Sequence, residues 1–111
     1  FHGSYPWLED IYALTHNYKN VYPDISWLPL ISTSAAERMI EELIEVSTVD
    51  RITWGCDSHS SEESMGALLA VRFAIANALS KKVKEGYFSF GDAKKIINNI
   101  LYNNPKSIYK L

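Results

Sequence analysis

Two short runs rich in β-branched and aromatic residues alternate along this chain with segments of helical periodicity, and this alternation constrains the fold most. The runs are residues 21–27 (VYPDISW) and 52–54 (ITW), whose composition is typical of strands. Pro23 has no amide N–H to donate, so it places the first run at a sheet edge or near a strand's start. Strands that alternate with helices in this way predict a parallel α/β sheet.

Four helices are predicted from N-terminal caps and apolar stripes. Ser4 caps the first, with Pro6 in its first turn, and Gly86 ends the third. Two more begin at capping boxes, Ser34 with Glu37 and Ser60 with Glu63, and Ser89 with Asp92 opens the last. Residues 103–105 (NNP) break the last helix. The stripes expected to be buried are Trp7, Ile11, Leu14 and Tyr18; Ala36, Met39, Ile40, Leu43 and Ile44; Met65, Leu68, Leu69, Arg72, Ala76, Leu79 and Val83; and Ile96, Ile97, Ile100 and Leu101.

Composition excludes several classes of protein. The chain has 111 residues, of which 47% are hydrophobic and 22% charged, as in a single ordinary globular domain. A net charge of -2 gives no general attraction to nucleic acid or to an anionic membrane. No apolar run is long enough to cross a bilayer. The single cysteine, Cys56, cannot form an internal disulfide, which agrees with the default expectation of a cytoplasmic location.

Asp57 lies where the second run ends and the next helix begins. In parallel sheets, ligand sites gather at the carboxyl ends of the strands. His2 precedes Asp57 by the length of two βα units of about 30 residues each, so the two are expected at equivalent strand ends. His59 is near enough to reach the same crevice, and Trp27 follows a strand and is expected to line it. Two alternatives stay open: Asp57 caps the turn, and His2 is a side chain without a role.

The residues His2-Gly3, followed by Trp54-Gly55-Cys56-Asp57 and a long last helix, resemble the metal-dependent amidohydrolase superfamily. The resemblance is to its amidohydrolase-2 group, which includes the domain fused to glutamine synthetase in nodulin-type proteins. It implies a TIM (β/α)8 barrel, which takes about 250 residues. Residues 1–111 are therefore expected to be a single C-terminal fragment: the last βα units of the barrel, with extra C-terminal helices. The stretches that carry the resemblance are 1–7, 20–27, 51–61, 66–67 and 103–111.

The resemblance also implies roles for the residues at the site. Asp57 would touch a divalent metal, with zinc the first choice, and accept a proton from the nucleophilic water. His2 would lie near the same metal and steady the developing oxyanion. Both are expected to be catalytic and metal-ligating, while His59 and Trp27 contact substrate. The family's His-x-His and a further histidine ligand have no counterpart, so the chain alone is expected to bind metal weakly and to be inactive.

The function implied is that of a metal-dependent hydrolase acting on a C–N, C–O or C–C bond of a small polar substrate. The alternatives are a uronate isomerase-like enzyme and a non-catalytic scaffold or interaction domain. The expected partners are a small-molecule substrate, without nucleic acid or membrane. Because two strands leave open sheet edges, we also expect the chain to form a homo-oligomer or to associate with the missing N-terminal part of the barrel.

Overall fold

A computed structural model describes residues 1–111 and shows a fold built almost entirely of helices. The chain opens with a short 3-10 turn, His2–Ser4, and the last two helices are joined through a π-helical turn, Asn99–Asn103. None of the helices is both long and apolar enough to cross a membrane. The helices are α1 (Leu8–Asn17), α2 (Leu28–Ile31), α3 (Thr33–Val46), α4 (Ser61–Lys84), α5 (Phe90–Asn98) and α6 (Asn104–Tyr109).

The predicted α/β fold, with the C-terminal βα units of a TIM barrel, is wrong. The two runs expected to be strands meet only at one isolated parallel bridge, between Asp24 and Thr53, and no sheet forms. The first run leaves the extended conformation at Trp27, where φ is 59°, and the second at Asp57, where φ is 50°. Ile25 and Ile52 are fully buried in the same core as the helices. Their β-branched character therefore reports burial rather than membership of a sheet.

Two of the predicted helix starts are confirmed. At α4, the Ser60 hydroxyl accepts a hydrogen bond from the backbone N–H of Glu63 at 3.1 Å. At α5, Ser89 and Asp92 form a complete capping box, in which each side chain accepts from the other residue's backbone. Gly86, with φ of 76°, follows the end of α4 as predicted. The backbone N–H groups after α4 return to its last carbonyls, which satisfies acceptors that a helix end leaves free.

The other two predicted starts are displaced. Ser32, not Ser34, caps α3, and its hydroxyl accepts from the backbone N–H of Ala35 at 3.2 Å. Ser4 lies in the opening 3-10 turn, and α1 begins at Leu8 without a side-chain cap. At α3 two nearby serines fit the pattern, and local spacing alone does not choose between them.

The core lies mainly between α3 and α4, and only some of the predicted stripes face it. On α3, Ala36, Met39, Ile40 and Leu43 are fully buried as predicted, and Ile44 is half-buried. On α5, Ile96 is buried as predicted, and Ile100 is buried in the π-helical turn that follows. The α4 stripe is mostly wrong: the buried residues are Ala67, Val71, Ala74, Ile75, Ala78, Leu79 and Lys82, while Met65, Leu69, Arg72 and Ala76 are exposed.

The errors on α1 and α4 have a common physical cause. α4 is apolar on two sides, and the side that packs is the one with smaller residues, which lets its backbone approach α3 closely. On α1, Trp7, Leu14 and Tyr18 are exposed, and Leu8 and Thr15 are buried instead. Apolar periodicity identifies a helix, but it does not decide which of two apolar faces is buried when both are present.

The predicted break at residues 103–105 is also wrong. The helix widens into its π turn and continues as α6, and Pro105, which has no N–H to donate to the preceding turn, follows directly after the widened part. The buried side-chain amide of Asn104 donates to the carbonyls of Val49 at 2.6 Å and Ile52 at 2.8 Å. Asn104 thus ties the end of the chain to the segment that leads to Asp57.

Candidate functional site

Three chain segments lie side by side at one edge of the molecule. The Gly3 amide donates to the Asp24 carbonyl at 2.8 Å, and Asp24 is bridged to Thr53 on its other side. Near this edge the backbone adopts positive φ at His2 (54°), Trp27 (59°) and Asp57 (50°). Such a conformation costs a residue other than glycine about 1–2 kcal/mol, so it persists where the surroundings hold it.

The structure brings together the two residues that the sequence placed at this site. His2 Nε2 and Asp57 Oδ2 are hydrogen-bonded at 2.6 Å, although the residues are 55 positions apart in the chain. The distance is just below the usual range for a hydrogen bond between a nitrogen and an oxygen. The two side chains are 38% and 57% exposed, so the pair lies at the surface, where water and a small molecule reach it.

Trp27 contacts the histidine of this pair. Its ring meets the His2 imidazole edge to face, with centroids 5.4 Å apart and planes at 60°. About a third of Trp27 is exposed, and the buried Leu28 follows it at the start of α2. Trp27 was expected to follow a strand, and no strand forms there. Its contact with substrate stays a prediction.

His59 lies near Asp57 in the chain but contacts a different carboxylate. Its imidazole Nδ1 is 3.4 Å from Glu63 Oε2, and its backbone N–H donates to the same oxygen at 2.8 Å. That backbone hydrogen bond is the main cause of the lowered pKa of Glu63. The His59 side chain is almost fully exposed, so it borders the site from the solvent side.

Sequence reasoning missed the buried polar network beneath the site. One Asp24 oxygen accepts from the backbone N–H of Ser26 at 2.7 Å, and the other accepts from the hydroxyls of Thr53 at 3.2 Å and Tyr109 at 3.3 Å. Burial, and then the Asp24 carboxylate, raise the pKa of Tyr109. The Ser26 hydroxyl accepts from the Gly55 amide at 2.9 Å. An aspartate inside an otherwise apolar run was the available signal, because a buried carboxylate needs partners.

The donors at the site fit part of a metal-ligand set. An imidazole nitrogen and a carboxylate oxygen are both groups that zinc accepts, and His2 and Asp57 supply one of each. The structure contains no group of three or more His, Cys, Asp or Glu side chains placed to hold a metal ion. A zinc site usually takes at least three protein ligands. The pair can therefore contribute to a metal site, but this chain alone does not complete one.

Neither Cys56 nor the largest cleft belongs to this site. Cys56 is half-buried, and its thiol is 4.0 Å from the Ser64 carbonyl. The cleft, of about 850 Å³, includes His16, Lys19 and Arg51 among its lining residues, and neither His2 nor Asp57 lines it. The cleft is wide open to solvent, and its Arg51 already donates to backbone carbonyls. The paired side chains of His2 and Asp57 are therefore the stronger candidate for a site.

Comparison with known proteins gives a family and one curated relative. A family model described as amidohydrolase matches residues 2–111. Protein fluG of Emericella nidulans is 29% identical over 112 residues, an alignment that covers 99% of this chain and 13% of fluG. The chain thus spans 13% of the length of the curated relative it matches. No solved structure matches.

Proposed function

The chain belongs to the amidohydrolase family, and on that premise we propose that residues 1–111 supply the C-terminal portion of a metal-dependent hydrolase acting on a C–N, C–O or C–C bond of a small polar substrate. The observation that carries the proposal is the hydrogen bond between His2 Nε2 and Asp57 Oδ2 at 2.6 Å. This hydrogen bond brings together a carboxylate that can act as a base and an imidazole that can donate a hydrogen bond to an oxyanion. Both groups lie at a surface that a small molecule can reach.

Within this proposal the two side chains divide the proton chemistry. Asp57 takes a proton from the attacking water and returns it to the leaving group, which is the work of a general base and then a general acid. A neutral imidazole has one N–H and one nitrogen with a free lone pair. The N–H that His2 directs at Asp57 would donate to the oxygen on which charge develops. A divalent metal, with zinc the first choice, would supply a water of lowered pKa when bound, and the Asp57 carboxylate and the other ring nitrogen of His2 are the groups here that would hold it. His59 and the exposed part of Trp27 border the pair and would contact the substrate.

We propose that the remaining ligands lie elsewhere in a longer protein. Two donors are fewer than the three that a catalytic zinc site needs, and the matched part of fluG is a small fraction of that protein. The 111-residue chain by itself should therefore bind zinc weakly and be inactive. Calorimetry with zinc chloride on the purified chain tests this, and tight one-to-one binding would contradict it.

The catalytic role is tested in the product of the longest open reading frame that contains these residues. With zinc present, its turnover of a panel of amides and lactones is compared with that of Asp57→Asn. Loss of a general base should lower turnover by at least about a hundredfold, with the melting temperature nearly unchanged. Asp10→Asn removes an exposed carboxylate from α1 and serves as the matched control. Normal turnover by Asp57→Asn would remove Asp57 from the mechanism.

The same panel separates the alternative functions. If uronates are turned over and amides and lactones are not, the same aspartate moves a proton in an isomerase. If no substrate is turned over with zinc present and the protein is folded, the domain is a scaffold. Fold and family do not choose among these reactions, so the choice depends on the substrate assay.

We also propose that the outer face of α4 is covered by another part of the longer protein or by a second copy. Met65, Leu69 and Phe73 follow one another at helical spacing, and each is more than half exposed. A contiguous apolar face of this kind commonly marks an interface. Light scattering of the 111-residue chain over a range of concentrations is the test. A monomer of 12.6 kDa at every concentration would contradict self-association.

A further inference from the structure

The main chain of Trp27 is anchored where its ring meets His2. Its backbone has φ of 59° and ψ of -24°, and it is the residue before the first turn of α2. The next two residues, Leu28 and Pro29, are buried in that turn. The Trp27 ring meets the imidazole edge to face, with centroids 5.4 Å apart.

Trp27 also lies beside the segment that leads to Asp57. The hydroxyl of its neighbour Ser26 accepts the Gly55 amide, two residues before Asp57, at 2.9 Å. Glu63 accepts the backbone N–H of His59, two residues after Asp57, and so shapes the loop on the other side of Asp57. The Trp27 segment is therefore tied to His2 through the ring contact and to the Asp57 loop through Ser26.

We propose that Trp27 is a positioning residue, which orients the His2 imidazole so that Nε2 points at Asp57. The His2 side chain is 38% exposed, and Trp27 is the aromatic residue whose ring contacts it. An aromatic contact of this type shifts an equilibrium between ring orientations by a factor of about 2 to 13. The inference rests on the proposed function only in treating the His2–Asp57 pair as catalytic; the geometry of the pair is independent of that.

Nuclear magnetic resonance on the 111-residue chain at one fixed pH tests the proposal. The chain has three histidines, so the imidazole signals are readily assigned. In the wild type, we expect nuclear Overhauser effects from the His2 ring to both Trp27 and Asp57, and one dominant His2 rotamer. In Trp27→Leu, the ratio of the Asp57-facing orientation of the His2 ring to its other orientations should fall by about 2- to 13-fold, seen as a weaker His2-to-Asp57 effect and as averaging of the His2 rotamers. Trp27→Phe retains a ring and should restore most of the signal.

Trp7→Leu is the matched control, because Trp7 is 66% exposed and makes no ring contact with His2. The proposal is overturned if Trp27→Leu keeps the wild-type His2-to-Asp57 effect, or if Trp7→Leu weakens it equally. The wild-type chain gives a test that does not depend on whether a variant folds. If it shows no nuclear Overhauser effect between the His2 and Trp27 rings, the proposal is overturned.

The outcome is separable from that of the proposed function. An intact, Trp27-dependent pair in a protein without hydrolase activity leaves the positioning role standing and removes the hydrolase. If the open-reading-frame product is active, Trp27→Leu should lower kcat, because the pair acts in the transition state, in addition to any rise in KM from the lost substrate contact. A raised KM with normal kcat would leave Trp27 a substrate contact without a positioning role.

Discussion

The α3–α4 interface and the edge that carries His2 and Asp57 are built by opposite means. In the interface, apolar side chains such as Met39, Leu43 and Ile75 are almost completely excluded from water. At the edge, the residues are polar and partly exposed, and the backbone is held in left-handed conformations around a single bridge. The difference indicates that packing between helices provides the stability, while local turns and polar contacts determine the geometry of the site.

Charged residues flank the α3–α4 interface and fix how the two helices align. Lys82 is buried, and its ammonium pairs with Glu45 on α3 and lies over the Tyr87 ring. The hydrogen bond to Glu45 raises the pKa of Lys82 despite burial. Stability from this contact is therefore present below the ordinary lysine pKa and is lost as the pH rises through the raised one. The charged residue buried in this interface, Lys82, is thus paired with an opposite charge.

The largest expected effect comes from a cavity in the interface. Leu43 on α3 is fully buried, so Leu43→Ala should lower the free energy of unfolding by about 2–5 kcal/mol. Leu69→Ala removes the same atoms from an exposed position on α4 and should change it by no more than about 0.5 kcal/mol. Urea unfolding of both variants measures the difference. Equal losses would mean that the outer face of α4 is buried in solution, as it would be in an oligomer.

The second effect probes the tie between the two regions. Asn104→Ala leaves the buried carbonyls of Val49 and Ile52 without their donor, which should lower the free energy of unfolding by about 1–3 kcal/mol. Asn103→Ala, at the exposed neighbouring position, is the control and should change it far less. Because residues 49–52 lead to Asp57, faster amide hydrogen exchange in that segment should accompany the loss. Unchanged exchange there would show that the segment is held by the helices alone.

The third effect compares two glycines, one under the site and one on α4. A methyl group at Gly3 would clash with the Met39 side chain, and φ there is +59°. The left-handed backbone alone should make Gly3→Ala cost roughly 1–2 kcal/mol, and relief of the clash requires the opening turn or Met39 to move. Gly66 has open space around it, so Gly66→Ala should stabilise the helix by about 0.5–1 kcal/mol.

The readout for Gly3→Ala is both local and global. Thermal unfolding gives the stability change, and loss of the His2-to-Asp57 nuclear Overhauser effect shows that the turn has moved. A stable Gly3→Ala variant with that effect intact would mean that Met39 adapts and that the site does not depend on this close approach.

The sequence predicted the proximity of His2 and Asp57 better than the fold that brings them together. His2 and Asp57 were placed together from the spacing of two expected strand ends, and the side chains are in fact hydrogen-bonded. The strands themselves are absent apart from the bridge between Asp24 and Thr53. Parallel segments can align their ends through one bridge, so the spacing survives although the sheet does not form.

The parts that could not be predicted depend on contacts between distant residues. Capping at Ser60 and Ser89 depends on the next three residues and was predicted correctly. The burial of Thr15 in α1 and the exposure of Trp7, just before that helix, depend on how α1 packs against α3. No local sequence pattern contains that information. The hydrogen bonds of Asn104 span more than 50 residues and left no periodic signal.

The smallest effect concerns Tyr12, on α1 at the margin of the core. Its hydroxyl is buried without a hydrogen-bond partner, and burial, followed by the nearby Glu42, raises its pKa to about 12. Since the hydroxyl has no partner, Tyr12→Phe should change the free energy of unfolding at pH 7 by less than about 0.5 kcal/mol.

At alkaline pH the free energies of unfolding of the wild type and of Tyr12→Phe should differ. The unfolded chain loses the tyrosine proton near pH 10 while the folded chain keeps it to about 12, so wild-type stability falls between these values, and the variant lacks this part of the fall. Tyr18→Phe, at an exposed position, is the control for the other tyrosines. Urea titrations at pH 7, 10 and 11 compare all three proteins. Parallel curves for wild type and Tyr12→Phe would show that water reaches the hydroxyl, and that packing at the margin of the core is looser than in the α3–α4 interface.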